Sequence, residues 1–193
     1  LAGGENSREF VITSDKYDDP YFTFKRDEPF QGDHFDEENI IGHFRTSDRT
    51  NLFGDKVLYI DEIQSDWGQK GREEGFRPKD INDEKNILAR KGRGFGYLVV
   101  RGPFVENTPK WTDLIVKRIL AKAVEEGYDM VSFSPGYIQN MRWGEKGLLK
   151  YYDDILVKRV TKIVDKLDDT AFGLGDEKKG AEGFGRVHLQ DDD

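Results

Sequence analysis

A short apolar stretch that runs into a dense polar cluster is the feature of this chain best suited to chemistry. Residues 57–63 read Val-Leu-Tyr-Ile-Asp-Glu-Ile, and Gln64, Ser65 and Asp66 follow Glu62 closely. Carboxylates cost free energy to bury unless they are paired, hydrogen-bonded or bound to a metal. Because a strand does not need such a cluster in order to fold, the pattern predicts a functional site at the C-terminal end of this strand.

A second strand is predicted over residues 40–47, and the turn-forming residues 48–56 would join the two strands as a hairpin. In that geometry His43 or Arg45 lies across the ladder from the carboxylate of Glu62 or its neighbour. A histidine paired with a carboxylate can act as a general acid or base, and an arginine can hold an anionic group. The pattern leaves catalysis and ligand binding both open.

The site residues follow from this geometry. Those assigned to catalysis are Glu62, His43 and Asp66. Those assigned to substrate binding are Arg45, Gln64, Ser65 and Lys117. The expected ligand is a nucleotide or another anionic small molecule, and we assign no cofactor and no metal ligand. The alternative is a buried ion-pair network in which Ser65 or Asp66 caps the next turn.

A metal site is a further alternative. Glu62, Asp66, His43 and His34 are ligands suited to Mg²⁺, Mn²⁺ or Zn²⁺. A carboxylate followed by Glu-x-Gln at a strand end resembles metal-dependent nucleases of the restriction-enzyme type, which usually have a lysine in the place of Gln64.

Residues 109–156 follow the order helix, strand, helix, with Tyr151 and Tyr152 in the second helix. This order resembles the second half of an N-acetyltransferase domain of the GNAT type. The resemblance implies that one of the two tyrosines protonates a leaving thiolate and that residues 69–75 form a pyrophosphate-binding loop. A generic α/β unit is the alternative. The Gly- and Arg-rich run 91–97 is interpreted as a loop that could touch an anionic ligand.

Composition limits the class of protein. The chain has 193 residues, no cysteine and a net charge of −8. The negative charge excludes a generic nucleic-acid binder but leaves a local basic face open, and the lack of cysteine excludes disulfides and thiolate metal sites. We expect no membrane span, because no apolar run reaches about 20 residues, and no signal peptide. Since an initiator Met is missing, we expect a piece of a larger protein or a chain that has been processed.

Hydrophobic periodicity and turn residues predict the elements. Strands are predicted over 9–13, 40–47, 57–63, 97–101 with an extension to 105, 130–134 and 186–189. Helices are predicted over 83–91, 109–126 with Thr108 as its cap and Gly127 at its end, and 147–167. Residues 14–39, 68–96 and 168–185 are expected to be irregular, the last of them as a flexible acidic loop. The predicted fold is α/β, a single domain over 1–193 with a mixed central sheet flanked by two long helices.

Four blocks of the sequence resemble one known type of domain. They are Gly3–Asn6 with Arg8 and Glu9, His34–Asn39 with His43 and Arg45, Glu62–Gln69 with Gly71 and Arg72, and Trp111 with Lys117 and Gly127–Asp129. Together, over roughly residues 1–165, they resemble a domain of the large internal virion and polyvalent proteins of tailed phages. Ser7, where an aromatic residue is common, and a short connection after Gly136 depart from that pattern.

The resemblance implies a context for the chain. It implies a phage-encoded protein located in the virion or the host cytoplasm, with the rest of a large phage polypeptide as its partner. It names no reaction, so a non-catalytic structural or interaction module of a virion protein is kept as an alternative.

Overall fold

The computed structural model describes residues 4–15, 29–77 and 98–167, together with the backbone of 172–173 and 187–189. The contacts within the chain divide it into two compact units. The first unit comprises residues 1–10, 44–63 and 112–193. The second unit comprises residues 11–43 and 64–111.

The strands form one mixed sheet. They are β1 (Glu5–Thr13), β2 (Ile40–Thr50), β3 (Lys56–Gln64), β4 (Met130–Phe133), β5 (Phe172–Gly173) and β6 (Val187–Leu189). Their order is β1-β2-β3-β4-β6-β5. Strands β3 and β4 are parallel, with Val57 opposite Met130, and β4 and β6 are antiparallel. The α/β class and the mixed sheet are therefore as predicted.

The helices are α1 (Asp66–Glu74), α2 (Thr108–Glu125), α3 (Gly136–Trp143), α4 (Gly147–Lys150), a π-helix (Tyr151–Leu156) and α5 (Val157–Val164). The first predicted long helix is α2. The second, predicted as one helix over 147–167, consists of α4, the π-helix and α5, and α3 was not predicted. A pair of long helices that flanks the sheet stays a prediction. Among the described helices, none combines the length and the hydropathy needed to cross a bilayer.

Strands β2 and β3 are neighbours in the sheet and are joined by a turn that Asn51 organises. The Asn51 side-chain oxygen accepts hydrogen bonds from the N–H groups of Phe53 at 2.8 Å and Asp55 at 3.0 Å. This is the local bonding that makes asparagine a turn residue. A connection this short permits only an antiparallel pair, which is the hairpin that the sequence predicts.

Helix α2 begins at Thr108, the residue that was predicted to be its cap and one position before the predicted start. The side chain of Asn107, not that of Thr108, accepts a hydrogen bond from the N–H of Lys110, at 3.2 Å. Asparagine is among the best capping residues, because its short side chain reaches back to the exposed N–H groups of the first turn. At the other end Gly127 has φ +64°, the left-handed conformation that glycine adopts without strain.

The core of the first unit lies along β3 and α2. The side chains of these two elements that are completely buried include Leu58, Ile60, Ile115, Val116 and Ile119. Strand β3 is buried from Val57 to Ile63. A strand buried on both faces reads as a continuous apolar run, and residues 57–60, which precede the buried Asp61 and Glu62, form such a run.

A polar cluster in the first unit joins residues far apart in the chain. The Tyr128 hydroxyl donates to a carboxylate oxygen of Asp48 at 2.5 Å and accepts a hydrogen bond from Arg8 at 2.6 Å. Arg8 also pairs with Glu126 at 2.8 Å. Burial and the hydrogen bond to Asp48 raise the pKa of Tyr128 to about 12, since both disfavour the phenolate.

The core of the second unit is built around Trp67. Its ring is completely buried and stacks on Phe30 with the ring centroids 5.1 Å apart. The indole N–H donates to the carbonyl oxygen of Val100 at 2.7 Å. A buried tryptophan needs such an acceptor, because an unpaired N–H in the core costs free energy.

Two predictions for the second unit were wrong. Residues 66–74, predicted mainly as loop, form α1, because the glycines that suggested a loop serve close packing: a side chain at Gly71 would collide with the ring of Phe76. The strand predicted over 97–105 is reduced to a bridge between Val99 and Phe76. Beyond it residues 103–106 form a turn, in which Phe104 has φ +69°.

Some predictions fall outside the described residues. These are the helix over 83–91, the run 91–97 and most of the loop over 168–185. Within that last range Phe172 and Gly173 form β5 and pair with β6.

Candidate functional site

Asp66 is the centre of a polar cluster in the second unit. It is the first residue of α1, and one of its carboxylate oxygens lies 2.9 Å from Nδ1 of His34. The other oxygen accepts a hydrogen bond from the side-chain amide of Gln64 at 2.5 Å. Both oxygens are therefore held in fixed directions, as is typical of a carboxylate that orients a histidine.

Ser65 explains how Asp66 comes to stand there. The Ser65 hydroxyl donates to the carbonyl oxygen of Ile41 at 2.6 Å and accepts from the N–H of Gly68 at 3.1 Å. The residue is completely buried and caps α1. Its hydroxyl is used for this anchoring role, and Ser65 does not line the pocket described below. The hydroxyl is therefore not in position for the contact with substrate that the sequence predicts.

His43 lies in the same unit, next to His34. Its side chain is buried and meets the ring of Phe35 edge-on, with the centroids 4.9 Å apart. The ring centroids of His34 and His43 are 6.3 Å apart. One donor atom from each of His34, His43 and Asp66 lies within 4.8 Å of the other two, so three of the residues considered for metal binding do converge.

Asp66 and His34 open into a cavity of about 250 Å³, here called the acidic pocket. One wall comes from α1 and from Gln64, the last residue of β3, and the other from the irregular segment that precedes β2. The lining residues are Phe30, Gly32, Asp33, His34, Gln64, Asp66, Gln69, Lys70, Glu73 and Glu74. Four of these are carboxylates and one is a lysine, so the pocket attracts cations more strongly than anions. A negatively charged lining does not suit the anionic ligand that the sequence predicts.

Gly32 brings the backbone close to the key carboxylate. A Cβ atom at this position would lie 3.2 Å from the Asp66 oxygen that faces His34. That is tighter than ordinary van der Waals contact, so glycine leaves this oxygen accessible from the pocket side.

Two other predicted site residues lie together in the first unit. Arg45 pairs with Glu62 at 3.3 Å and with Glu9 at 3.0 Å. Glu62 is buried. Two carboxylates thus neutralise the guanidinium that was predicted to hold an anion, and the pair can serve as the structural ion pair considered as the alternative.

Lys117 lies in a separate groove of the first unit, of about 480 Å³. The groove is formed by α2 and α5, and Asp113 and Arg159 also line it. The Arg159 guanidinium donates to the Asp113 carboxylate at 2.5 Å. None of the groove's lining residues lines the acidic pocket.

The features that resemble an acetyltransferase have other roles in this structure. The segment 69–75, predicted as a pyrophosphate-binding loop, lies within α1 and ends it at Gly75, so its N–H groups are used along the helix. The Tyr152 hydroxyl accepts from the N–H of Ile63 at 2.8 Å and lies 3.1 Å from the Ile63 carbonyl oxygen, to which it donates. Burial raises the pKa of Tyr152, and Tyr151 lies 3.2 Å from the hydroxyl of Thr112.

Sequence reasoning named His34 as a metal-ligand alternative, and it considered Gln69, Lys70 and Glu73 only as part of a pyrophosphate-binding loop. The last three lie four or fewer positions apart on α1, a spacing that brings helical side chains to one face. That signal became usable only once residues 66–74 were known to be helical.

Comparison of the chain with family models, curated proteins and solved structures gives no match. The phage context inferred from the sequence blocks therefore stays a prediction.

Proposed function

We propose that this chain is a catalytic or ligand-binding domain whose site is the acidic pocket at the end of β3. The observation that carries the proposal is the pair formed by His34 and Asp66, 2.9 Å apart, at the wall of a polar cavity. A carboxylate that accepts the Nδ1 proton fixes the tautomer of the imidazole and makes Nε2 the basic nitrogen. The acid–base role predicted for His43 and Glu62 thus passes to His34 and Asp66.

The size and charge of the pocket define the ligand class. About 250 Å³ is below the usual volume of sites for drug-sized molecules, roughly 300–1,000 Å³. Excess carboxylates favour a small ligand that presents amino or hydroxyl groups, because these donate to carboxylate oxygens. A nucleotide or other phosphate-bearing ligand would need a cation between its phosphate and these side chains.

The biological setting is proposed from the sequence blocks. We place the domain in a large phage polypeptide, carried in the virion or made in the host cytoplasm, and the blocks around Glu62–Gln69 and His34–Asn39 support this. Both blocks contribute residues to the acidic pocket. This is expected if the pocket is a defining feature of the domain.

A thermal-shift panel tests the site. Chelator-treated protein would be screened against amines, amino sugars, nucleotides, coenzyme A, acetyl-coenzyme A and NAD, because a ligand that binds only the folded state raises the melting temperature. The expected result is a stabilising ligand that loses its effect in Asp66→Asn and keeps it in Glu62→Gln, the matched carboxamide control from the first unit. A ligand effect lost only in Glu62→Gln would move the site to the Arg45 ion pair and overturn the proposal.

A second candidate function is an interaction module, and exposed side chains on α3 favour it. Tyr137, Met141 and Trp143 are 46%, 78% and 54% exposed, and aromatic and methionine side chains are enriched at protein interfaces. Sedimentation velocity over a range of concentrations tests the self-association form of this function. Self-association that is weaker in Trp143→Ser, and unchanged in the exposed turn control Phe53→Ser, would support the interaction module. A monomer at every concentration would contradict it.

A further inference from the structure

We propose that His34, His43 and Asp66 bind one divalent transition-metal ion, with zinc as the preferred ion. The inference deepens the function proposed above and rests on it, because the ion would stand at the wall of the acidic pocket. Two imidazoles from outside α1 and one carboxylate from its first residue supply the donors. Borderline nitrogen donors with one oxygen suit Zn²⁺, Fe²⁺ or Mn²⁺ better than Ca²⁺ or Mg²⁺.

The distances fit a single ion. Zinc lies about 2.0–2.2 Å from nitrogen and oxygen ligands, so two ligands of a tetrahedral ion stand about 3.3–3.6 Å apart. Nδ1 of His34 and Oδ2 of Asp66 are 2.9 Å apart, so an ion bound to both would take the place of the proton between them and move the two atoms slightly apart. The acid–base pairing proposed above then belongs to the metal-free protein. All three donors lie within 4.8 Å of one another, so a contraction of roughly 1.5 Å or less completes the set. The His34 side chain is 60% exposed and can make that adjustment.

The surroundings also suit a metal centre. Gln64 holds the second oxygen of Asp66 at 2.5 Å, which is the kind of outer contact that fixes a ligating carboxylate. Phe35 packs against the His43 ring at 4.9 Å and limits its rotation. Asp33 and Glu73, which also line the pocket, raise the local concentration of cations.

Three protein ligands leave at least one coordination position for water or for a ligand atom, as in catalytic rather than structural zinc sites. That position would explain how an acidic pocket accepts an anionic group, because the ion supplies the positive charge that the side chains lack. The metal thereby reconciles the phosphate-bearing ligand expected from the sequence with the negative lining of the pocket.

Isothermal titration of chelator-stripped, tag-free protein with Zn²⁺ is the direct test, with Co²⁺ as the spectroscopic probe. We expect one ion per chain and visible Co²⁺ absorption typical of nitrogen and oxygen ligation. Asp66→Asn and His34→Gln should each weaken binding at least about tenfold, a change that loss of even an outer contact can reach. His188→Gln, which removes the third histidine of the chain, is the matched control and should bind as wild type does.

Each outcome bears on the proposal. Failure of the wild type to bind, or affinity that is unchanged in both Asp66→Asn and His34→Gln, would overturn it. His43→Gln is a supporting variant read only beside its circular dichroism spectrum, because that side chain is buried. If the protein binds no metal but binds an organic ligand in the presence of chelator, and Asp66→Asn abolishes that binding, the metal site is overturned and the pocket is kept. If the protein binds zinc but neither its metal-loaded nor its metal-free form binds any organic ligand, the metal site is kept and the ligand pocket is overturned.

Discussion

Replacing Ser65 by alanine should destabilise the protein by about 2–4 kcal/mol. The Ser65 hydroxyl makes two hydrogen bonds in a completely buried position, to the Ile41 carbonyl and from the Gly68 N–H. Loss of an N-cap costs about 1 kcal/mol, and leaving a buried backbone carbonyl without this partner costs about 1–3 kcal/mol. The two contributions come from one oxygen atom, and alanine removes both.

Urea unfolding with linear extrapolation measures this difference directly. In a thermal scan the same loss corresponds to a fall of roughly 5–15 °C, at about 2–4 °C per kcal/mol for a chain of this size. Ser132→Ala is the control, because Ser132 is only partly buried in β4 and surface-type substitutions change stability by about 0.5 kcal/mol. If Ser65→Ala and Ser132→Ala unfold at the same urea concentration, the anchoring role of this hydroxyl is refuted.

Three further changes test the first unit. Because the pKa of Tyr128 is raised to about 12, the stabilising contribution of its protonated hydroxyl is complete below pH 10 and is lost as pH rises through 12. The free energy of unfolding should therefore fall by about 2–3 kcal/mol across that window. Tyr128→Phe should flatten this part of the pH–stability curve. Gly127→Ala places a Cβ at φ +64° and should cost about 1 kcal/mol in urea unfolding; an unchanged midpoint would show that the helix end relaxes. Tyr152→Phe removes the hydroxyl that bonds to both backbone groups of Ile63. It should lower the free energy of unfolding by about 1–3 kcal/mol, measured by chemical denaturation, and by more than Tyr151→Phe does. Equal losses of stability in the two variants would contradict this role of the Tyr152 hydroxyl.

The elements that the sequence predicted are those whose apolar residues follow a simple pattern. Strand β3 was recognisable because its residues are apolar on both faces, and α2 because apolar residues recur every three or four positions between Asn107 and Gly127. Helix α1 was missed because its glycines lower helix propensity. Gly71 is tolerated there because Phe76 occupies the space that a side chain would need. A contact with a residue outside the helix thus overrides the local preference.

The position of the polar cluster was easier to predict than the pairing of its residues. The polar cluster that follows β3 does include a carboxylate beside a histidine, but the pair is Asp66 with His34. Those two residues are 32 positions apart, and His34 lies in a segment without regular structure, so no periodicity indicates where its ring lies. Arg45 was predicted near Glu62 from the hairpin geometry and lies there, because strand pairing is a regular relation that a sequence can express.

The parallel pairing of β3 with β4 has a consequence for how the chain acquires its fold. Val57 stands opposite Met130, 73 positions further along the chain, whereas the β2–β3 hairpin closes through a single short turn. Contacts between distant positions form slowly, because a long stretch of chain must first lose its freedom. Until β4 arrives, one long side of an apolar strand is exposed, and exposed strand edges pair with other chains. Recovery of native protein after denaturation should therefore improve on dilution, with aggregates built on β3 as the competing product.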